Sequence, residues 1–418
     1  MTPRERIINA INHRQSDKVP VDFGGTTCSG MHASVVYKLR KAFNLPERPV
    51  KLVNCMQMLG EIEEDLQDKL LTDCAMYMPY ASPFGYRYEK WKPWTLFDGT
   101  PVLVPEGFNT AAGPDGGIYQ YPQGDKTVPP SGLMPKGGFY FDAIIRQDPN
   151  FDSDNPSVED NLEEFTIYND EVLNYHRKAA ESLRKSSDRA IIANLGFSSL
   201  GNIAAVPGLF MKHPKGIRDI EEWYMSLASR KDFLKELFDR QSQIGIKNYS
   251  LFKDAVGSNI DIVYLCGSDL GAQNGPLCSV STIEEVFMPY YKRMCDWIHG
   301  NTNWKIMKHC CGSIKPLIPL FIEAGIDILN PVQNSAADMD AQTLKDEFGS
   351  KITFWGGGVD TQRTLPFGSP DEVFKEVTER IRIYKSNGGF VFNTIHNIQA
   401  GVPVENLLAM IEGVRQFR

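Results

Sequence analysis

The chain has 418 residues, 42% of them hydrophobic and 23% charged, with a net charge of −8. That balance supports a soluble protein with a sizeable core, and a single barrel with insertions reaches this length without dividing into two cores. Lys and Arg are scattered, which argues against a nucleic-acid or anionic-membrane partner; no apolar run is long enough to span a bilayer, and residues 1–14 have no apolar leader, so a cytoplasmic location is expected.

Residues 19–24 read as a first strand ending in a Gly-Gly turn, and residues 73–78 as a second. Residues from 79 to about 160 break the pattern with Gly, Pro and aromatics, including Tyr86, Tyr88, Trp91, Trp94, Tyr119, Tyr121, Phe139 and Phe141. The stretches Phe97-Asp98-Gly99-Thr100 and Gly113-Pro114-Asp115-Gly116-Gly117 suggest hairpin turns, so this segment is expected as β-hairpins inserted between the second and third strands. It serves either as a lid or as a packing or dimer element.

Residues 190–196 form a third strand in this reading, and five βα units follow. Their strands are expected at 260–265, 305–308, 327–330, 352–355 and 389–393, and their helices at 281–299, 314–324, 340–348, 370–386 and 404–417. Eight strands alternating with helices predict one α/β domain over residues 1–418, a (β/α)8 TIM barrel. No G-x-G-x-x-G follows the first strand, which removes the usual dinucleotide reading.

Eight cysteines in a chain of this length do not form a disulfide framework. Cys55, Cys74, Cys266 and Cys295 lie in apolar or helical stretches and are expected as buried structural thiols. In a barrel, the chemistry lies just beyond the C-terminal ends of the strands. There the chain carries Gly267-Ser268-Asp269-Leu270-Gly271, Lys308-His309-Cys310-Cys311-Gly312, Gln333-Asn334, Gly356-Gly357-Gly358-Val359-Asp360 and Thr394-Ile395-His396-Asn397.

His309 and Cys311 are two residues apart where a strand runs out, so they project to one side and Cys310 to the other. Imidazole and thiolate suit Zn²⁺, whose catalytic sites keep three protein ligands and one open position; His396 is the expected third ligand, with Glu61 a guess for a fourth. A lone H-x-C is more often structural than metal-binding, and the position at a strand end is what favours the metal. Asp269 and Asp360 are the candidate catalytic acids or bases, with loop-capping as the alternative role. Asp22, Asn194, Gln333 and Asn334 are the candidate substrate contacts.

These residues resemble the uroporphyrinogen decarboxylase superfamily, which includes the haem-pathway decarboxylase and zinc-dependent, corrinoid-linked methyltransferases. The resemblance is carried by Thr2-Pro3-Arg4-Glu5-Arg6, Val19-Pro20-Val21-Asp22, Asp269-Leu270-Gly271-Ala272-Gln273-Asn274-Gly275-Pro276-Leu277, His309-Cys310-Cys311-Gly312, Gly357-Gly358-Val359-Asp360-Thr361-Gln362 and Pro403-Val404-Glu405-Asn406-Leu407. The decarboxylase branch holds the acids of its porphyrinogen with arginines near the first strand, where residues 21–30 here contain none.

The methyltransferase branch is implied instead. Its H-x-C unit matches His309 and Cys311, and its later zinc-binding cysteine falls at about His396. Two neutral histidines leave the metal a stronger Lewis acid, which implies an oxygen-linked methyl donor. The resemblance thus implies transfer of methyl between a small methylated substrate and a corrinoid on a partner protein, in a possible homodimer. The alternatives are a metal-free decarboxylase-like carboxy-lyase and a non-catalytic ligand-binding barrel.

Overall fold

The computed structural model describes residues 1–266 and 268–418; Gly267 and the side chain of Cys266, one of the expected buried thiols, lie outside the described residues. The centre is a curled sheet of seven parallel strands. They are Cys74–Met76, Ala190–Asn194, Ile262–Cys266, Lys305–His309, Ile328–Asn330, Thr353–Trp355 and Phe390–Val391, side by side in chain order. Sequential parallel neighbours need crossover connections, and helices supply most of them.

Alternation along each strand sorts its side chains to two faces. Cys74, Ala190, Ile192, Ile262, Tyr264, Met307, Ile328, Trp355 and Val391 pack together as one buried cluster, the inner filling of the curled sheet. Ile7, Ala10 and Ile11 of the N-terminal helix Pro3–Ile11 join this cluster, so that helix plugs one end. The intervening residues, including Ile191, Ala193, Val263, Ile306, Leu329 and Phe354, belong to the larger cluster shared with the surrounding helices.

The first strand expected at residues 19–24 is reduced to one parallel bridge, between Val21 and Phe392. Pro20 has no N–H to donate, and Gly24 turns the chain away at φ +89°. This short segment still bonds to both outer strands' ends. Asp22 N–H donates to Phe392 O at 2.9 Å and Phe392 N–H to Pro20 O at 2.8 Å, while Asp73 N–H donates to Val21 O at 2.7 Å.

The helix expected at 281–299 is two helices, Val280–Val286 and Met288–Asn301, because Pro289 lacks the N–H needed to continue the first. Asp340 caps Ala341–Phe348 through the Thr343 N–H at 2.8 Å, and Ser369 with Glu372 forms a capping box on Pro370–Tyr384. Cys55, Cys74 and Cys295 are buried, as expected.

Between the Cys74–Met76 and Ala190–Asn194 strands lie two small sheets. Lys92–Thr95 and Pro101–Val104 pair antiparallel around the turn at Phe97–Thr100, and Thr110–Ala112 pairs with Ile118–Gln120 around the turn at Gly113–Gly117. The first of these sheets also takes in Val50–Asn54 and Leu59–Gly60, strands the hydrophobic pattern does not signal. The aromatic segment is therefore not folded on itself alone: its Pro101–Val104 strand also pairs parallel with Val50–Asn54 from before the Cys74–Met76 strand. Among the described residues no helix is long and apolar enough to cross a membrane.

Candidate metal centre

Met307 faces the inner filling, so His309, two residues on and at the end of the same strand, faces the same way. Lys308 points to the other side and is fully buried; its ammonium donates to Ser268 O at 2.6 Å and His309 O at 2.7 Å. One lysine thus holds the ends of two neighbouring strands together. Cys310 also faces away, with Sγ accepting from Leu270 N–H at 3.2 Å.

His309 is only 5% exposed. Its Nδ1 lies 2.6 Å from Asn330 Oδ1, and Asn330 Nδ2 donates to Trp355 O at 2.9 Å. Because the amide nitrogen is committed to a carbonyl, the amide oxygen faces the ring, and Nδ1 is the nitrogen that carries hydrogen. Nε2 is then the nitrogen turned toward the neighbouring sulfur and carboxylate. Cys311 Sγ is 3.2 Å from it and Asp269 Oδ1 3.9 Å. Asp269 Oδ1 also accepts from Cys311 N–H at 2.7 Å, which ties the two loops.

His396 and Cys28 also stand close to the His309 ring. The His309 and His396 rings stand 5.5 Å apart at 68°. The ligand atoms of Cys28, His309 and His396 all lie within 4.8 Å of one another, and so do those of Asp269, His309 and Cys311. His309 is common to both groups. A metal about 2.0 Å from nitrogen and about 2.3 Å from sulfur at the tetrahedral angle separates those two atoms by about 3.5 Å, close to the 3.2 Å from Nε2 to Cys311 Sγ. Nitrogen and sulfur donors around one buried imidazole fit Zn²⁺.

The electrostatics agree. Burial pushes the His309 pKa down, but Cys28 and Cys311 push it up further, and the net shift is well upward. Burial raises the Cys28 thiol and the His309 charge lowers it more, so it falls below its ordinary value; Cys311 stays raised by burial, with His309 opposing. Burial and the neighbouring His309 push His396 down to about 4, so its ring is neutral at neutral pH. A positive charge is favoured between the sulfurs.

Cys28 is the residue sequence reasoning missed. It sits on the one-turn helix Thr27–Ser29 in the loop after residues 20–22, the same rim that supplied the other candidates. Asn397 links that loop to the His396 loop, donating to Thr27 O at 3.3 Å and Gln57 Oε1 at 3.1 Å.

The other expected site residues fall in different places. Asp22 is buried, with Oδ1 accepting from Gly25 N–H at 2.8 Å and Oδ2 from Trp355 Nε1 at 2.9 Å, and burial raises its pKa. Asp360, 8% exposed, uses Oδ1 to accept from the N–H groups of Gln362 and Arg363. Gln333 Oε1 accepts from Gly312 N–H at 2.7 Å and so braces the His309–Gly312 turn. Asn334 bonds outward to Met339 O and the Tyr384 hydroxyl. Asn194 ends its strand in register with Tyr264. Glu61 belongs to neither metal-ligating group and pairs with Lys51 at 3.6 Å.

A curled parallel sheet with a His/Cys donor cluster at the C-terminal strand ends defines a barrel-type enzyme centre. The uroporphyrinogen decarboxylase (URO-D) profile matches residues 145–417, and the chain belongs to that family. The structure is similar to a methyltransferase from Methanosarcina mazei, with a TM-score of 0.56 and 14% identity, over 100% of this chain and 99% of that one. At that identity the likeness is one of fold. No curated protein matches in sequence.

Proposed function

We propose that this protein is a zinc-dependent methyltransferase that moves a methyl group between a small oxygen-linked methylated substrate and a corrinoid carried by a partner protein. The observation that carries the reading is the state of His309: Nδ1 is fixed by Asn330, while Nε2 faces Cys311 and Asp269, and ligand atoms of Cys28 and His396 lie within 4.8 Å of a His309 nitrogen. A fixed tautomer beside soft and imidazole donors is what a zinc ligand requires. The likeness to a methyltransferase over the whole chain supports the choice within the family.

Zinc bound there supplies a Lewis acid that draws electron density from the leaving oxygen. In the transfer the methyl carbon–oxygen bond would break with its electron pair left on oxygen, and a reduced corrinoid held by the partner would supply the acceptor for the methyl group. Asp269 is assigned the passage of a solvent proton to that oxygen: Oδ1 is held by the Cys311 N–H, which leaves the second oxygen to act. Gln333 keeps the His309–Gly312 turn in place.

The carboxy-lyase reading needs cations for a substrate's carboxylates. Among the described residues, the side chains of Cys28, Asp269, His309, Cys311 and His396 make no hydrogen bond or ion pair with Lys or Arg. We read the scaffold as a (β/α)8 barrel in which residues 20–22 stand for the first strand. Segment 79–160 is read as an insertion beside its mouth, where His32 Nε2 meets Phe139 O at 2.9 Å.

The test is metal analysis of the purified protein beside His309→Ala and His396→Ala, followed by methyl-transfer assays with a reduced free corrinoid and a panel of methyl ethers. Stoichiometric zinc, lost in both variants, with zinc-dependent methylation of the corrinoid, is expected. Full activity in the metal-free protein, or a parent without metal, overturns the reading.

A further inference from the structure

We propose that Cys28 is a metal ligand of the His309 centre, so that the centre holds two thiolates, Cys28 and Cys311, with two imidazoles, His309 and His396. The inference rests on the metal-site reading above and changes its ligand set. Cys28 lies in a loop 281 positions before His309 in the sequence, and no spacing motif connects them.

The geometry is the first argument. The Cys28 sulfur, a nitrogen of His396 and a nitrogen of His309 fall within 4.8 Å of one another, and Cys311 Sγ stands 3.2 Å from His309 Nε2. His309 is nearly fully buried, whereas Cys28, Cys311 and His396 are partly exposed, so the donors converge from the rim onto a fixed anchor. The two sulfurs fall in separate groups that share only His309, so one ion held by both requires the Cys28 and Cys311 loops to draw together on it.

The loop is also built to hold that sulfur. The Thr26 hydroxyl accepts from Cys28 N–H at 3.2 Å, Thr26 N–H donates to Ser29 Oγ at 3.0 Å, and Gly24 N–H donates to Ser29 O at 2.8 Å. Tyr264, stacked against the His309 ring at 6.2 Å, has its hydroxyl 3.3 Å from Cys28 Sγ, where it can donate to a thiolate. A ligand sulfur stabilised by a neighbouring hydrogen bond is the usual support for a metal site.

Charge balance is the third argument. Zn²⁺ with two neutral imidazoles and one thiolate keeps a net charge of about +1 on the ion and its ligands, and even with the Asp269 carboxylate 3.9 Å from His309 Nε2, an anionic ligand on the ion itself lowers the cost of burying that charge. A second thiolate makes the centre neutral. Zinc can still take a substrate atom by expanding to five-coordination.

The test titrates the chelator-stripped protein with Co²⁺ alone and reads the thiolate-to-cobalt charge-transfer absorbance per bound ion. The series is wild type, Cys28→Ala, Cys28→Ser, Cys311→Ala and His309→Ala, each checked for native circular dichroism. Cys28→Ala and Cys311→Ala are each expected to lose half the absorbance, with Cys28→Ala raising the dissociation constant at least about tenfold. Cys28→Ser, which keeps the shape, is expected to lose the same half. If Cys28→Ala and Cys28→Ser keep full absorbance and affinity while His309→Ala abolishes binding, Cys28 is not a ligand and the metal reading stands. If the wild type binds no Co²⁺, both fall.

Discussion

Asn330→Ala tests the orientation of His309 without touching a proposed ligand. Asn330 is almost fully buried and holds two bonds at once, its Oδ1 at 2.6 Å from His309 Nδ1 and its Nδ2 at 2.9 Å from Trp355 O. Alanine leaves a buried ring nitrogen and a buried carbonyl without partners, each worth about 1–3 kcal/mol. The folded protein should therefore lose about 2–6 kcal/mol of stability, read as a lower urea midpoint. With its second nitrogen unheld, His309 can rotate or change tautomer, and zinc affinity should drop about 10- to 100-fold, close to 1.4–2.7 kcal/mol. Asn330→Asp keeps an acceptor for Nδ1 and loses only the donor to Trp355 O, so its metal affinity should stay within about tenfold of the parent. Competition between the protein and a chromophoric chelator measures both variants. Unchanged affinity in Asn330→Ala, beside complete loss in His309→Ala, would refute the argument that Asn330 sets the ligand tautomer.

The turn after the strand offers a second perturbation. Gly312 has φ +92°, and a Cβ there would stand 2.5 Å from the Gly271 carbonyl carbon and 2.7 Å from Ala272 O, both backbone. Gly312→Ala should displace the Asp269 and Cys311 loops and abolish tight metal binding; wild-type zinc content in the soluble variant would contradict this. Lys308→Met removes the ammonium bonds to Ser268 O and His309 O and should cost about 1–3 kcal/mol of stability, read as a lower urea midpoint, with an unchanged midpoint as the opposing result. For pH, burial holds His176 at about 4, below its unfolded value near 6.5. Between those values the unfolded chain binds more protons, so stability rises with pH through that window and is fully present above it. The His176 share is about 3 kcal/mol, and His176→Phe should flatten the acid limb of a stability–pH curve; an identical limb argues against a buried neutral imidazole.

The residues that were readable in the sequence share one property: their direction follows from local periodicity. His309 and Cys311, two apart at a strand end, must face one side, and Cys310 must face the other, whatever the rest of the chain does. The helices over 341–348 and 370–384 and the hairpin turns at 97–100 and 113–117 were legible for the same reason, since caps and turn residues act within a few positions. Length, weak net charge and βα alternation indicated a large α/β scaffold.

What lay beyond local order was decided by tertiary contact. Whether a strand-end carboxylate is free depends on which N–H groups its loop brings to it: Asp22 is held by Gly25 and Trp355, and Asp360 by Gln362 and Arg363. Val50–Asn54 is a strand because it finds Pro101–Val104 and Leu59–Gly60 as partners, not because of its own alternation. Cys28 is the clearest case. By itself it is a polar-loop cysteine in a Gly- and Thr-rich stretch, and the bonding of residues 20–22 to Phe392 and Asp73, with Asn397 donating to Thr27 O, carries that loop to His309 and His396. Local sequence determines which way a donor points, and the folded sheet determines which donors meet.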